Sequence, residues 1–426
     1  MRILVITRAP WRNDNGLGST LTDFFVNMKD VDLYGLCMRE AKEVSPLCLK
    51  NFYFSEQQFI EKIIHGGKVG KVSDWIDTDE SVAEKKMYSK AKKCDSMILP
   101  IARELLWNLN FWKNSSLNSY LDEVSPDIVF FPDFPCIYAH KVFNYIVSYT
   151  KAKGVIYHAD DCYTLRQLSF SPLYWIYRLK LRKWVRNSSH ICRLHYVISN
   201  VQKEDYDKML GVTYKLLTKF GDFSKEPELK NDYPLPIKLV YTGQLGINRW
   251  KSIAIIVDSL RTINRNSKKA ELFIYTGTEI TKKMDRVLNV PGCSKIMGCI
   301  SASQIPEVQR NADILVHVES FDLKSRLKVR QSFSTKIVDY MKRGRAILAV
   351  GPQEVASIKH LIENDCAICG ANVDELTRKL EIVINDPKQL NYLARKAYLC
   401  GRIKHNKQMM ENMLYQDLRK LCSDED

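Results

Sequence analysis

Three places in this chain set ionisable side chains where the end of a helix or strand would present them together. In Ser332–Pro352, SFSTKIVDYMKRGRAILAVGP, the residues Ser332, Ser334 and Thr335 are helix N-cap types, and Lys336 falls in the first turn. A helix start favours an acid there, so a cation beside free amides fits a bound anion such as phosphate. The competing reading is an ordinary helix start with a solvated lysine. Arg249 and Lys251 repeat the arrangement behind the glycine turn of LVYTGQLGINRW. His158, Asp160 and Asp161 close the strand pattern GVIYHADD, at the strand end where open α/β sheets bind ligands. A histidine at a strand end is also often a structural hydrogen bonder.

The elements that would position these groups alternate between strand and helix, the pattern of doubly wound parallel sheets. RILVIT (Arg2–Thr7) opens the chain as a strand, and the loop after it carries Gly16 and Gly18, which let a backbone approach a ligand closely. PDIVFF (Pro126–Phe131), Gly154–Asp161, ELFIYTG (Glu271–Gly277), KIMGCI (Lys295–Ile300) and ADILVHVESF (Ala312–Phe321) add further strands. Ile337, Val338 and Met341 mark one helix face, Gly344 ends that helix, and Ala346–Val350 is a continuous apolar run. DFSKEPELKNDYPLP, 222–236, reads as a linker, giving an N-terminal domain over 1–221 and a C-terminal one over 237–404. The charged stretch Asp77–Lys93 and its surroundings suggest no function.

Composition narrows the partners. The 426 residues exceed one ordinary core. No run approaches the roughly 18 apolar residues of a membrane span, and the opening strand is no signal peptide, so a cytoplasmic protein is expected. Twelve scattered cysteines then read as free thiols. Cys366 and Cys369 have C-x-x-C spacing, but His360 and Cys400 do not complete a zinc pattern, so no metal is expected. The net charge of +15 calls for an anionic partner. In WIYRLKLRKWVR (175–186), Arg178, Lys180, Arg182, Lys183 and Arg186 alternate with apolar residues as in an interfacial membrane helix. The alternative is a helix packed on the core with solvated charges. No nucleic-acid motif is present.

Ser334, Thr335, Lys336, Asp339, Tyr340, Gly344, Arg345 and the closing Gly351-Pro352 resemble the donor-binding element of retaining glycosyltransferases of the GT-B fold, in the variant of bacterial surface-polysaccharide enzymes (O-antigen or capsule). Glu319 resembles the first acid of that group's two-acid signature, although DLKSRLKVRQ separates it from Asp339 and the second acid is Asp instead of Glu. The resemblance implies two Rossmann-like domains facing an interdomain cleft, with the helix at 405–426 crossing back onto the first. It implies transfer of a sugar from a nucleotide-diphosphate donor to a hydroxyl of a lipid-linked bacterial surface glycan, with retention and without a metal or other cofactor. Gly16, Gly18, Gly243, Arg249, Lys251, Gly298, Ser334, Thr335, Lys336 and Asp339 would meet the donor. His158, Glu319, Arg249 and Lys336 would serve catalysis, and Asp160 and Asp161 the acceptor. The enzyme would then sit at the inner face of the plasma membrane. A nucleotide-sugar epimerase of the same fold, or a non-catalytic protein binding glycan or membrane through its basic surface, are the alternatives.

Overall fold

The computed structural model describes residues 1–12, 16–39, 45–73 and 97–423, so Asp77–Lys93 lies outside the described residues. The chain divides into two compact units, Met1–Leu217 with Glu411–Asp426, and Thr218–Met410.

The first unit is built on eight strands: β1 (Arg2–Thr7), β2 (Asp32–Cys37), β3 (Cys48–Tyr53), β4 (Lys71–Ser73), β5 (Ile128–Pro132), β6 (Lys153–His158), β7 (Cys192–Val197) and β8 (Lys215–Leu216). Their order is β4-β3-β2-β1-β5-β6-β7-β8, and every pairing is parallel except β3 with β4. β5 is buried throughout, as expected of a parallel strand covered on both faces. Aromatic rings fill one side: Trp107 stacks on Tyr138 at 4.4 Å and Phe131 on Phe143 at 4.7 Å. The last helix, Lys407–Ser423, completes this unit by burying Leu414 and Leu418. Its Asp417 accepts a hydrogen bond from the Tyr196 hydroxyl at 2.8 Å.

The second unit holds β9 (Ile237–Thr242), β10 (Ala270–Tyr275), β11 (Ser294–Gly298), β12 (Ile314–Val318), β13 (Ala346–Val350) and β14 (Ile368–Gly370). The order β11-β10-β9-β12-β13-β14 is parallel throughout. Chain progression reverses between β9 and β12, which makes the crevice beyond their C-terminal ends the natural binding place. DLKSRLKVRQ contains a short helix, Leu323–Val329, whose first turn donates to Asp322.

The proline-rich stretch 222–236 is not a free connector; it packs within this second unit. Lys230 pairs with Asp313, and Tyr233 donates to Asn391 at 2.6 Å. The Arg345 guanidinium donates to the Glu228 carbonyl at 2.8 Å. Gly344 ends its helix at φ +65°, and a Cβ there would lie 2.7 Å from the Glu228 carbonyl oxygen. Gly344→Ala is therefore expected to destabilise the protein by about 1–3 kcal/mol, read as a lower denaturant midpoint. An unchanged midpoint would show that the turn relaxes at no cost.

Candidate functional site

The site grows from the ends of β9 and β12. After Thr242 the chain passes Gly243 and turns through Ile247 and Asn248, both left-handed at φ +50° and +60°. A β-branched residue in that region is an outlier, and such strain persists only where the surroundings impose it. The turn starts helix Arg249–Ile263 so that Arg249 reaches Glu319, just past β12. Its Nη2 and Nε donate to Glu319 Oε2 at 3.0 and 3.2 Å. Glu319 is clamped: its N–H donates to the Val350 carbonyl at 2.9 Å, and its carbonyl accepts from Ser252 Oγ at 2.7 Å.

Lys336 enters from helix Thr335–Met341, which Tyr340 fixes to both strands. The tyrosine hydroxyl lies 3.2 Å from Thr242 Oγ1 and donates to the Val316 carbonyl at 3.3 Å. The Lys336 ammonium sits 5.5 Å from the centre of the Tyr241 ring, and a Cβ on Gly243 would fall 2.0 Å from Nζ. A side chain at position 243 would therefore have to displace the lysine head.

Burial raises Glu319 above the usual carboxylate range, with Arg249 and Lys336 opposing. Burial and then Arg249 push Lys336 down to about 8, against the pull of Glu319. On β12, His317 is pushed down to about 3 by burial, Lys336 and Arg249, so its imidazole is neutral at ordinary pH. Two cations share a single carboxylate in a partly closed place, an arrangement completed by an anion.

The other expected donor contacts surround this core unevenly. Ser334 caps the Lys336 helix without a side-chain cap bond, and its N–H donates to Ser357 Oγ at 2.9 Å; Thr335 opens the helix. Asp339, on the same helix, is 3.3 Å from Lys342 and half exposed. Lys251 is exposed, 5.9 Å from the Trp250 ring centre. Gly298 ends β11 at φ +80°. His317 and Tyr241 were not singled out from sequence. His317 precedes Glu319 by two residues, the strand period that puts both on one face, and that spacing was the available signal.

The first unit gathers its expected residues differently. His158 is wholly buried, with Nδ1 2.5 Å from Asp133 Oδ2 and Nε2 3.4 Å from the Tyr214 hydroxyl. Asp133 Oδ1 is 3.0 Å from His140 Nε2. Both His158 nitrogens are engaged and rings of Tyr206 and Tyr214 close over it, so the expected role facing the transferred sugar is corrected to an interior polar cluster. Asp161 is likewise turned inward. Its Oδ1 accepts from the Tyr163 and Thr164 N–H groups at 3.0 and 2.8 Å and from Arg178 Nη2 at 3.0 Å, and its Oδ2 from Thr164 Oγ1 and Gln167 Nε2, so both carboxylate oxygens are engaged within the unit. Asp160 remains exposed. Gly16 opens helix Gly16–Phe25, while a Cβ on Gly18 would lie 2.0 Å from the Arg12 carbonyl oxygen, so Gly18 serves close backbone packing.

The basic helix spans Pro172–Ile191. Arg178 is buried in its pair with Asp161, Arg182 covers the Tyr163 ring at 4.5 Å, and Arg186 donates to Tyr163 Oη at 3.2 Å. Only Lys180 and Lys183 of the five expected cations are exposed and outside these contacts, but Phe170, Leu173, Ile176 and Leu179 are exposed beside them. No described helix is long and apolar enough to cross a membrane. Cys400 Sγ lies 3.7 Å from His360 Nε2, and among the described residues no group of three or more His, Cys, Asp or Glu is placed to hold a metal ion.

Burial alone would raise the Asp133 carboxyl, but His158 and His140 overcome it and hold the group well below the usual range. The stability this contributes is present above the unfolded value near 4 and lost as pH falls below it. His158→Ala is expected to cost about 3–5 kcal/mol by stranding that charge and to flatten this acid limb in denaturation against pH. A full-strength acid limb in the variant would refute the assignment.

No protein-family profile and no curated protein sequence matches the chain. Solved structures do. Anabaena HepE, in complex with UDP, is similar at a TM-score of 0.65 and 12% identity over 99% of this chain and 100% of that one. Sucrose-phosphate synthase from Thermosynechococcus elongatus gives 0.62 and 10% over 99% and 98%. TarM gives 0.62 and 10% over 99% of each. Two doubly wound parallel sheets, matched end to end by these glycosyltransferase structures, establish that the chain has the GT-B fold.

Proposed function

We propose that this chain is a glycosyltransferase that moves a sugar from a nucleotide-diphosphate donor to a hydroxyl of a lipid-linked bacterial surface glycan, with retention at the anomeric carbon. The convergence of Arg249 and Lys336 beside Glu319 at the reversal point of the second sheet carries this reading. Cleaving a sugar–phosphate bond leaves a diphosphate of growing negative charge, and fixed cations stabilise it where it forms. HepE has been solved with UDP and with UDP-glucose, which supports a donor of this class. Glu319 would meet the sugar, Asp339 the ribose, and Gly298 the neighbourhood of the base.

The cations supply the charge that a divalent metal would otherwise provide, so sugar transfer is expected to proceed unchanged in excess chelator; loss of activity restored by a metal would overturn this part. The direct test of the function is incubation with nucleotide sugars and lipid-linked acceptors, followed by mass spectrometry. A transferase yields a glycosylated acceptor, whereas a product formed without acceptor would identify an epimerase. Membrane contact through 175–186 would rest on Ile176 and Leu179 with Lys180 and Lys183, and sedimentation with acidic liposomes tests it.

A further inference from the structure

His317 is a group at this site whose chemistry is left unused. It is buried, its Nε2 makes no hydrogen bond among the described residues, and that nitrogen lies 3.5 Å from Glu319 Oε1. The other carboxylate oxygen, Oε2, takes both donors of Arg249. Arg249 is about a quarter exposed and Glu319 only 4%. The arginine can therefore swing outward, and the glutamate cannot follow it. The charged and titratable groups around the pair are Arg249 at the start of its helix, Lys336 from helix Thr335–Met341 and Tyr241 from β9.

A diphosphate offers the guanidinium fork a second anion with matching geometry. If Arg249 leaves for it, Glu319 stays buried with a charge it can no longer pair, a costly state. The diphosphate also neutralises the two cations that add to burial in keeping His317 uncharged. Both changes favour a proton on the His317–Glu319 pair. We propose that a nucleoside diphosphate draws Arg249 off Glu319 and that His317 replaces it as the partner of Glu319, one proton being taken up from solvent and shared between Nε2 and Oε1. This makes His317 a positioning residue, and it rests on the donor-binding reading above.

The test is calorimetric titration of the full chain with intact nucleoside-diphosphate sugars, UDP-glucose first, whose phosphates do not titrate near neutral pH. Run at pH 7.5 in buffers of different ionisation enthalpy, the binding heat should vary with the buffer and give an uptake of about one proton. Affinity should fall as pH rises. In His317→Asn, which keeps a donor of similar size, complexes should still form while the uptake drops below half. Binding with heats independent of buffer, or uptake unchanged in His317→Asn, would overturn this inference and leave the donor site standing. Failure of every nucleotide sugar to bind would instead overturn the donor-site reading and this inference with it.

Discussion

Replacing Lys336 by alanine is expected to weaken binding of the nucleotide-sugar donor at least about tenfold, because a charge-assisted contact to phosphate contributes roughly 1.5–3 kcal/mol. The protein should stay folded, since the lysine head packs against Gly243 and the Tyr241 ring without anchoring an element. Arg249→Ala should match it in binding yet also lose stability, because it strands the Glu319 carboxylate. The pH profile gives a second reading. With Lys336 held near 8 in the free protein, the ammonium is present below that value and lost as pH rises through it, so KM should climb above pH 8 in the wild type. Lys336→Arg should shrink that rise to the part that His317 and Glu319 carry. Gly243→Ala offers a third route, since its methyl would displace the ammonium without touching backbone. Unchanged affinity for every nucleoside diphosphate in all of these variants would sink the assignment.

Glu319→Ala is expected to lower kcat on the order of a hundredfold, the size seen when a group aimed at the reacting centre is removed. Asp339→Asn should act chiefly on KM, as loss of a ribose contact would. The contrast follows from their settings: Glu319 is clamped between β12, β13 and the Arg249 helix, whereas Asp339 is half exposed beside Lys342. Steady-state kinetics of both variants decide the matter, and equal, near-wild-type values would refute the roles.

The second unit was legible from sequence because its signals are local. The apolar run Ala346–Val350 and the glycine stop at Gly344 each act within a few residues, and the strand and turn appeared where they were read. The charged groups around Glu319 also came from short motifs, whereas His317 and Tyr241 were hidden by their apolar surroundings. The first unit was read less well because its polar residues are decided at long range. Asp133 and His158 are 25 residues apart, and Arg178 reaches Asp161 across 17; neither partner can be inferred from neighbours in sequence. The basic helix was only partly legible for the same reason, since its charge pattern says nothing of which cations find inward partners.

The return of residues 411–426 to the first unit also governs how the chain is made on the ribosome. Everything from 218 to 410 must be synthesised between the two parts of that unit, which at about 5–20 residues per second takes roughly 10–40 seconds. Throughout that interval the seat for Leu414 and Leu418 is uncovered, and the Tyr196 hydroxyl lacks Asp417. The second unit is one continuous segment that ends before residue 411. A released chain truncated after residue 410 should therefore carry a protease-resistant second unit beside a first unit still open to cleavage.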